Sequence, residues 1–245
     1  MVNIHHVEPM AAVPDADALA LFQQQWAVYR KFIDHDYGSN AGAYRTLRRI
    51  VTEAFPRPFA FLDLACGDAT GAVIALKGTA VAHYHGVDLA PPALEMAAKN
   101  LEALDCVIEL EHGDFITAIM KRPEPADVVW IGLSLHHLEH KGKLRLMRAI
   151  REMIGPRGLF LTHEPTCVGG EDRAGFLDRY EAIARQGWTA FTPDELDALI
   201  THVRTADYPE SMDQWRALGR DAGFARTELV FTGAPDLLRT FCFSG

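Results

Sequence analysis

Between residues 59 and 165 the chain alternates short apolar runs with stretches of helical period. Phe59 to Leu64 is apolar except for Asp63; small residues follow, and then Val73, Ile74, Ala75 and Leu76. An apolar run that gives way to a 3.6-residue pattern reads as a buried parallel strand, a tight turn and a helix. The pattern repeats. Further strands are expected at about 81–87, 107–110, 127–133 and 159–163, with helices at about 91–104, 116–121 and 141–154. Pro91-Pro92 marks one helix start, because proline's fixed φ and missing N–H suit the first turn. Strands alternating with helices predict a doubly wound α/β fold with a mostly parallel sheet.

The flanks read differently. Asp15 and Asp17 precede Leu19, Leu21, Phe22, Trp26, Tyr29, Phe32 and Ile33, the spacing of an amphipathic helix with acids near its start. A second helix is expected over about 43–55, ended by Pro56 and Pro58. Residues 166–220 predict helices near 171–186, 193–203 and 211–222 and no strand. The chain closes with two strands, about 224–232 and 237–243, joined by the hairpin-length 233–236. The expected organisation is an N-terminal helical lid segment (1–56), a core (57–165), a helical cap (166–222) and a C-terminal hairpin (223–245).

The bulk numbers narrow the partners. The chain has 245 residues with a net charge of −9, which argues against nucleic acid, since phosphate binding needs a basic surface. Its four cysteines, at 66, 106, 167 and 242, form no C-x-x-C pair, so neither a zinc ribbon nor a disulfide framework is expected. Free thiols suit a reducing cytoplasm. Residues 1–10 lack the apolar centre of a signal peptide, and no apolar run approaches the ~18 residues of a membrane span. The expected protein is cytoplasmic, with a small-molecule partner and no membrane; its oligomeric state is left open.

The candidate chemistry starts at the turn after the first strand. Such turns bind dinucleotides or S-adenosylmethionine. A dinucleotide site wants G-x-G-x-x-G with the pyrophosphate at the helix N-terminus. Asp63-Leu64-Ala65-Cys66-Gly67-Asp68-Ala69 lacks that spacing, and Asp63 would repel a pyrophosphate. It suits an ammonium group instead. Asp88, ending the second strand, suits ribose hydroxyls. Asp114, after Gly113, can accept from an adenine amino group, with Phe115 against the ring.

Together these motifs resemble the class I S-adenosylmethionine-dependent methyltransferases, of small-molecule type. The resemblance covers about 59–165 by motif. Asp63 to Ala69 resembles the family's first motif, Val87-Asp88-Leu89 its ribose motif and Gly113-Asp114-Phe115 its adenine motif. Leu135-His136-His137-Leu138 resembles its loop after strand four, and Gly155-Pro156-Arg157-Gly158 its turn into strand five. The resemblance implies a seven-stranded sheet with an antiparallel last strand. It also implies S-adenosyl-L-methionine as cofactor, held by Asp63, Ala65, Gly67, Asp68, Asp88, Leu89, Gly113, Asp114, Phe115 and Leu133. Ala65 and Ala69 stand where the family often has glycine. A methyl is tolerated there if φ is negative, and Gly67 keeps the centre of the turn.

A sulfonium donor is already activated, so the protein must mainly position an acceptor and exclude water. A base is needed only if the acceptor must lose a proton. His136, His137 and Glu164, near the ends of strands four and five, are the catalytic candidates. Histidines in this loop also pack or cap without catalysing. His136, His137, His163 and Glu164 have the types for a metal site but no fixed ligand spacing, and no metal is expected. Tyr29, Tyr37, Arg173 and Tyr180 are candidate acceptor contacts. Ile131-Gly132-Leu133-Ser134 is not the N/D-P-P-Y/F loop of methyltransferases acting on bases and glutamine. Two other functions compete: a catalytically silent S-adenosyl-ligand-binding protein, and an NAD-dependent oxidoreductase.

Overall fold

A computed structural model describes residues 28–121 and 125–245. The helix expected from about residue 19 therefore lies partly outside the described residues; its described part, α1, covers 28–34. Then follow α2 (Asn40–Ala54), β1 (Phe59–Leu64), α3 (Thr70–Leu76), β2 (Val81–Asp88), α4 (Pro91–Leu101), β3 (Val107–His112), α5 (Phe115–Lys121), β4 (Val128–Gly132) and a single 3-10 turn, Leu135–His137. After these come α6 (His140–Met153), β5 (Leu159–Cys167), α7 (Arg173–Gly187), α8 (Pro193–Ala206), β6 (Glu210–Ser211), α9 (Met212–Asp221), β7 (Arg226–Thr232) and β8 (Leu238–Ser244).

The main sheet runs β3-β2-β1-β4-β5-β8-β7. Strands β1 to β5 pair in parallel, and β8 is antiparallel to both β5 and β7. Strand β1 is buried along nearly its whole length because helices cover both faces. One face carries Leu62, Leu64, Ile131, Trp215, Phe241 and Phe243; the other carries Phe61, Tyr84, Trp130 and Leu161 against α2 and α3. A third cluster, around Phe176, Trp188 and Leu196, packs α7 and α8 together and includes Phe32 from α1. The strand order reverses between β1 and β4, where open α/β sheets take ligands at their carboxyl ends. Among the described residues no helix is long and apolar enough to cross a membrane.

Two elements differ from the sequence expectation. Strand β5 continues through Glu164-Pro165 to Cys167, because β8 extends the ladder with Glu164 opposite Arg239 and Pro165 opposite Leu238. Segment 166–220 also holds a strand, the two-residue β6, which pairs with Thr166 and Cys167. Two residues carry no readable periodicity; only the distant partner makes them a strand.

Candidate active site

The turn from β1 into α3 is left-handed at three points: Ala65 (φ 57°), Gly67 (φ 55°) and Ala69 (φ 55°). Tolerance of the two alanines was expected only at negative φ; both sit at positive φ. Each costs about 1–2 kcal/mol of local strain, and surrounding hydrogen bonds hold the turn in place. Cys66 N donates to Val87 O (3.1 Å), Gly67 N to Asp88 Oδ2 (2.8 Å) and Ala69 N to Cys66 O (2.9 Å). Leu133, just past β4, is a further non-glycine residue at positive φ (57°), and its N–H donates to His163 O (3.0 Å). Such strain gathers where a ligand must be approached closely. A methyl added to Gly67 would meet no atom within 4 Å, so the centre of the turn faces open space. One added to Gly71 would collide with the Tyr44 ring.

The three acids stand at the ends of adjacent strands. Asp63 is buried and accepts from Tyr84 Oη at 2.8 Å. Burial pushes its carboxyl up to about 7, against the Tyr84 hydrogen bond and with the Asp88 charge adding to the rise. Asp88 accepts from Gly67 N and Ala90 N, one bond to each oxygen, both 2.8 Å. A carboxylate has about four acceptor positions, so two remain for hydroxyl groups. Burial raises the Asp88 carboxyl as well, in part offset by those amides. Gly113 N donates to Asp88 O (3.0 Å) and so fastens the end of β3 to that of β2. Asp114 Oδ1 accepts from Thr117 N (2.8 Å) and Thr117 Oγ1 (3.0 Å), capping α5. Phe115 packs against the main core, whereas Leu89, next to Asp88, is 63% exposed. Asp68 bonds Thr70 N (3.0 Å) and pairs with Arg30 (2.8 Å).

Tyr29 belongs with these acids more than with the cap. Tyr29 is 40% exposed as a whole, yet local desolvation and then the charges of Asp68 and Asp88 push its phenol above the usual range. Tyr44 on α2 is raised in the same way, by burial, Tyr29 and Asp63. Neither Tyr44 nor Arg30 stood out in the sequence, since an aromatic on an apolar helix face reads as core and an arginine on a helix reads as solvated.

Glu164 is fully buried on β5. Its Oε1 accepts from Leu135 N (3.0 Å), Ser134 N (3.3 Å) and Thr162 Oγ1 (3.1 Å); its Oε2 accepts from His136 N (3.1 Å) and His136 Nδ1 (2.6 Å). Burial alone would raise this carboxyl, but the His136 ring and the loop amides outweigh it and hold it below the usual range. Glu164 therefore holds the loop after β4 and has no oxygen left for an acceptor. His163 is also spoken for: Nε2 donates to Gly38 O and Nδ1 accepts from Thr240 Oγ1, both 2.9 Å. His136 and His137 do come together, with ring centroids 4.2 Å apart. They meet Asp207 from the end of α8, and His202 lies edge-on to His137 at 5.6 Å. Asp207 had no signal in the sequence, because a lone acid after a helix is ordinary.

The other candidate acceptor contacts, Tyr37, Tyr180 and Arg173, are largely satisfied within the protein. Tyr37 stacks on Trp188 at 5.1 Å and accepts from Ala190 N (3.0 Å). Tyr180 is buried and meets Trp188 edge-on. Arg173 donates to the carbonyls of Arg204 and Asp207, both at 2.7 Å. Helix α1 bridges the two halves: Arg30 pairs with Asp68 on the turn, and Lys31 pairs with Glu195 of α8 at 2.6 Å.

Residues 61–158 match a family model described as a methyltransferase domain. An uncharacterized protein of Haemophilus influenzae is 27% identical over 192 residues, covering 77% of this chain and 67% of its own. A carboxy-S-adenosyl-L-methionine synthase of Campylobacter curvus is 23% identical over 189 residues, covering 76% and 78%. The solved structure of the plantazolicin methyltransferase BpumL in complex with SAH has a TM-score of 0.64 at 14% identity, covering 95% of this chain and 91% of that one. Several other solved structures of this fold are longer, and the chain spans 53% to 66% of their length.

Proposed function

The chain carries a methyltransferase domain of the class I S-adenosylmethionine-dependent family, and on that premise we propose that it transfers a methyl group to a small-molecule N or O nucleophile. The observation that carries the proposal is the set of three acids, Asp63, Asp88 and Asp114, at the ends of β1, β2 and β3 around a left-handed turn. That donor set fits S-adenosylmethionine. It offers carboxylates to hydroxyl, amino and ammonium groups. When bound, this cofactor supplies a methyl already activated on a sulfonium. Asp88 keeps two acceptor positions for ribose hydroxyls, Leu89 offers an apolar surface beside them, and Asp63 offers charge to an ammonium. The acceptor lies between the Leu135–His137 turn and the cap, where His137 keeps a partly exposed ring. The aromatic contacts that Phe32 of α1 and Tyr37 of the following turn make with Trp188, with the Lys31–Glu195 pair, support a lid over a small acceptor. The negative chain charge supports the same choice against nucleic acid.

Asp88→Ala is expected to weaken S-adenosylmethionine binding by about 1–3 kcal/mol, roughly 5- to 150-fold, the scale of lost charged hydrogen bonds. Titration calorimetry measures it. Tight NAD binding with no S-adenosylmethionine binding would overturn the proposal. Incubation with methyl-labelled cofactor and a fractionated metabolite pool should place label on small molecules; label confined to protein or RNA would remove the acceptor class.

Asp63 gives the binding a pH dependence. Its folded value, about 7, lies above the unfolded one, so the native protein holds a proton that the unfolded chain releases. That stabilisation is full below pH ~4 and is lost as pH rises through about 7. A cationic ligand reverses the preference by favouring the carboxylate. Affinity for S-adenosylmethionine should therefore rise as the pH passes upward through about 7, with proton release on binding. Asp63→Asn should flatten the profile; a profile already flat in the unaltered protein would remove Asp63 from the ammonium site.

A further inference from the structure

The loop after β4 and the end of α8 assemble a group of side chains for which cofactor binding has no use. His136, His137 and Asp207 each offer one ligand atom, and these atoms all lie within 4.8 Å of one another. His136 Nε2 is 3.7 Å from Asp207 Oδ2, and His137 Nδ1 is 3.4 Å from Asp207 Oδ1. Asp207 is only 4% exposed, and among the described residues its Oδ1 is met by the His137 ring at 3.4 Å but by no hydrogen bond of good geometry. A buried carboxylate oxygen without a donor is costly unless a positive group meets it.

The other ring nitrogen of His136 fixes what Nε2 presents. Nδ1 lies 2.6 Å from Glu164 Oε2, and both oxygens of that carboxylate already accept from backbone N–H or hydroxyl donors, so Nδ1 is the nitrogen that donates. Nε2 then turns a lone pair toward the Asp207 carboxylate. Two lone-pair donors facing each other across a buried gap leave room for a cation. A histidine that donates one N–H to a carboxylate and aims its second nitrogen at an ion is the recurring outer-shell arrangement of metal ligands. The spacing fits as well. Two ligands about 2.1 Å from a tetrahedral ion stand roughly 3.4 Å apart.

We propose that His136, His137 and Asp207 form a binding site for one divalent transition-metal ion. Two imidazoles and one carboxylate suit Zn²⁺, Fe²⁺ or Co²⁺, whereas Mg²⁺ and Ca²⁺ prefer oxygen donors throughout. The ligands are held before the ion arrives. Glu164 fixes the loop, Tyr208 N donates to His136 O (2.8 Å), and Arg173 donates to Asp207 O (2.7 Å). The His137 side chain is 41% exposed, so the remaining coordination positions open outward, beside His202. Residue types near β4 and β5 carry no ligand spacing because the third ligand comes from the cap, about 70 residues further along the chain. Use of the open positions to hold an acceptor oxygen or nitrogen rests on the methyl-transfer proposal; the ion site does not.

The full chain, stripped with a chelator, is titrated with Zn²⁺ by calorimetry and with Co²⁺ by visible absorption. One ion per chain is expected. Asp207→Asn should weaken binding by at least 100-fold, and Glu164→Gln, acting through His136, by about 10- to 100-fold. His137→Gln alters a partly exposed ring and decides the matter if Asp207→Asn fails to fold. A His5→Ala/His6→Ala variant should keep the ion. Absence of 1:1 binding, or binding indifferent to both Asp207→Asn and His137→Gln, would overturn the proposal. S-adenosylmethionine affinity is measured separately on metal-free protein. Failure of that titration with retained ion binding counts against methyl transfer, and the reverse counts against the ion site.

Discussion

Replacing Glu164 with alanine is expected to remove about 3–5 kcal/mol of stability, the range seen when one partner of a buried charged network is deleted. The reason lies in what the carboxylate satisfies. Three consecutive backbone amides, at Ser134, Leu135 and His136, donate to it, together with the His136 ring and the Thr162 hydroxyl. Alanine would leave these donors buried and unpaired, at about 1–3 kcal/mol for each that water cannot reach. Glu164→Gln keeps the volume but turns an amide NH₂ toward groups that are all donors, so it should recover only part of the loss. Urea unfolding measures both variants. A loss below about 1 kcal/mol for the alanine variant would mean that the loop after β4 does not depend on Glu164.

The second large effect is expected at Lys143, which is fully buried on α6. Its Nζ donates to Glu210 Oε1 at 2.9 Å and to Tyr208 O, and lies 5.8 Å from the centroid of the Trp215 ring. Glu210 is itself 3% exposed, with His140 as a second partner. Lys143→Met would leave the Glu210 charge buried with little compensation, at about 3–5 kcal/mol. The double variant Lys143→Met/Glu210→Met should regain most of that, because replacing a buried pair by apolar groups is often neutral. The pair also fixes segment 207–211, which carries Asp207 and β6. Thermal unfolding and proteolysis within that segment should both report the single variant. A double variant no more stable than the single one would show that the pair is not the source of the cost.

Much of the site's cofactor side is legible in the sequence because strand ends are local features. Asp63 and Asp88 lie at the ends of apolar runs and Asp114 follows the third strand by two residues, and parallel strands put such ends on one edge. The acceptor side is far less legible. Glu164 reads as a catalytic carboxylate from its place after an apolar run, yet its oxygens are consumed by the loop of another strand. Tyr29 reads as an acceptor contact from its helix, yet the charges of Asp68 and Asp88 act on its hydroxyl. Arg173 and Tyr180 read as acceptor contacts, yet one holds carbonyls and the other lies in the cap core.

The sequence by itself determined the alternation of strands and helices, the three acids on neighbouring strand ends and the turn between them. These follow from periodicity and turn chemistry over stretches of about ten residues. Only the tertiary structure decided that Ala65 and Ala69 are left-handed, since the hydrogen bonds from β2 impose that strain from outside the turn. It alone decided that Glu164 serves the backbone and that Asp207 faces two histidines. Those contacts join residues about 30 and 70 positions apart, whose meeting depends on strand order and on how the cap returns to the sheet, and no local pattern encodes either.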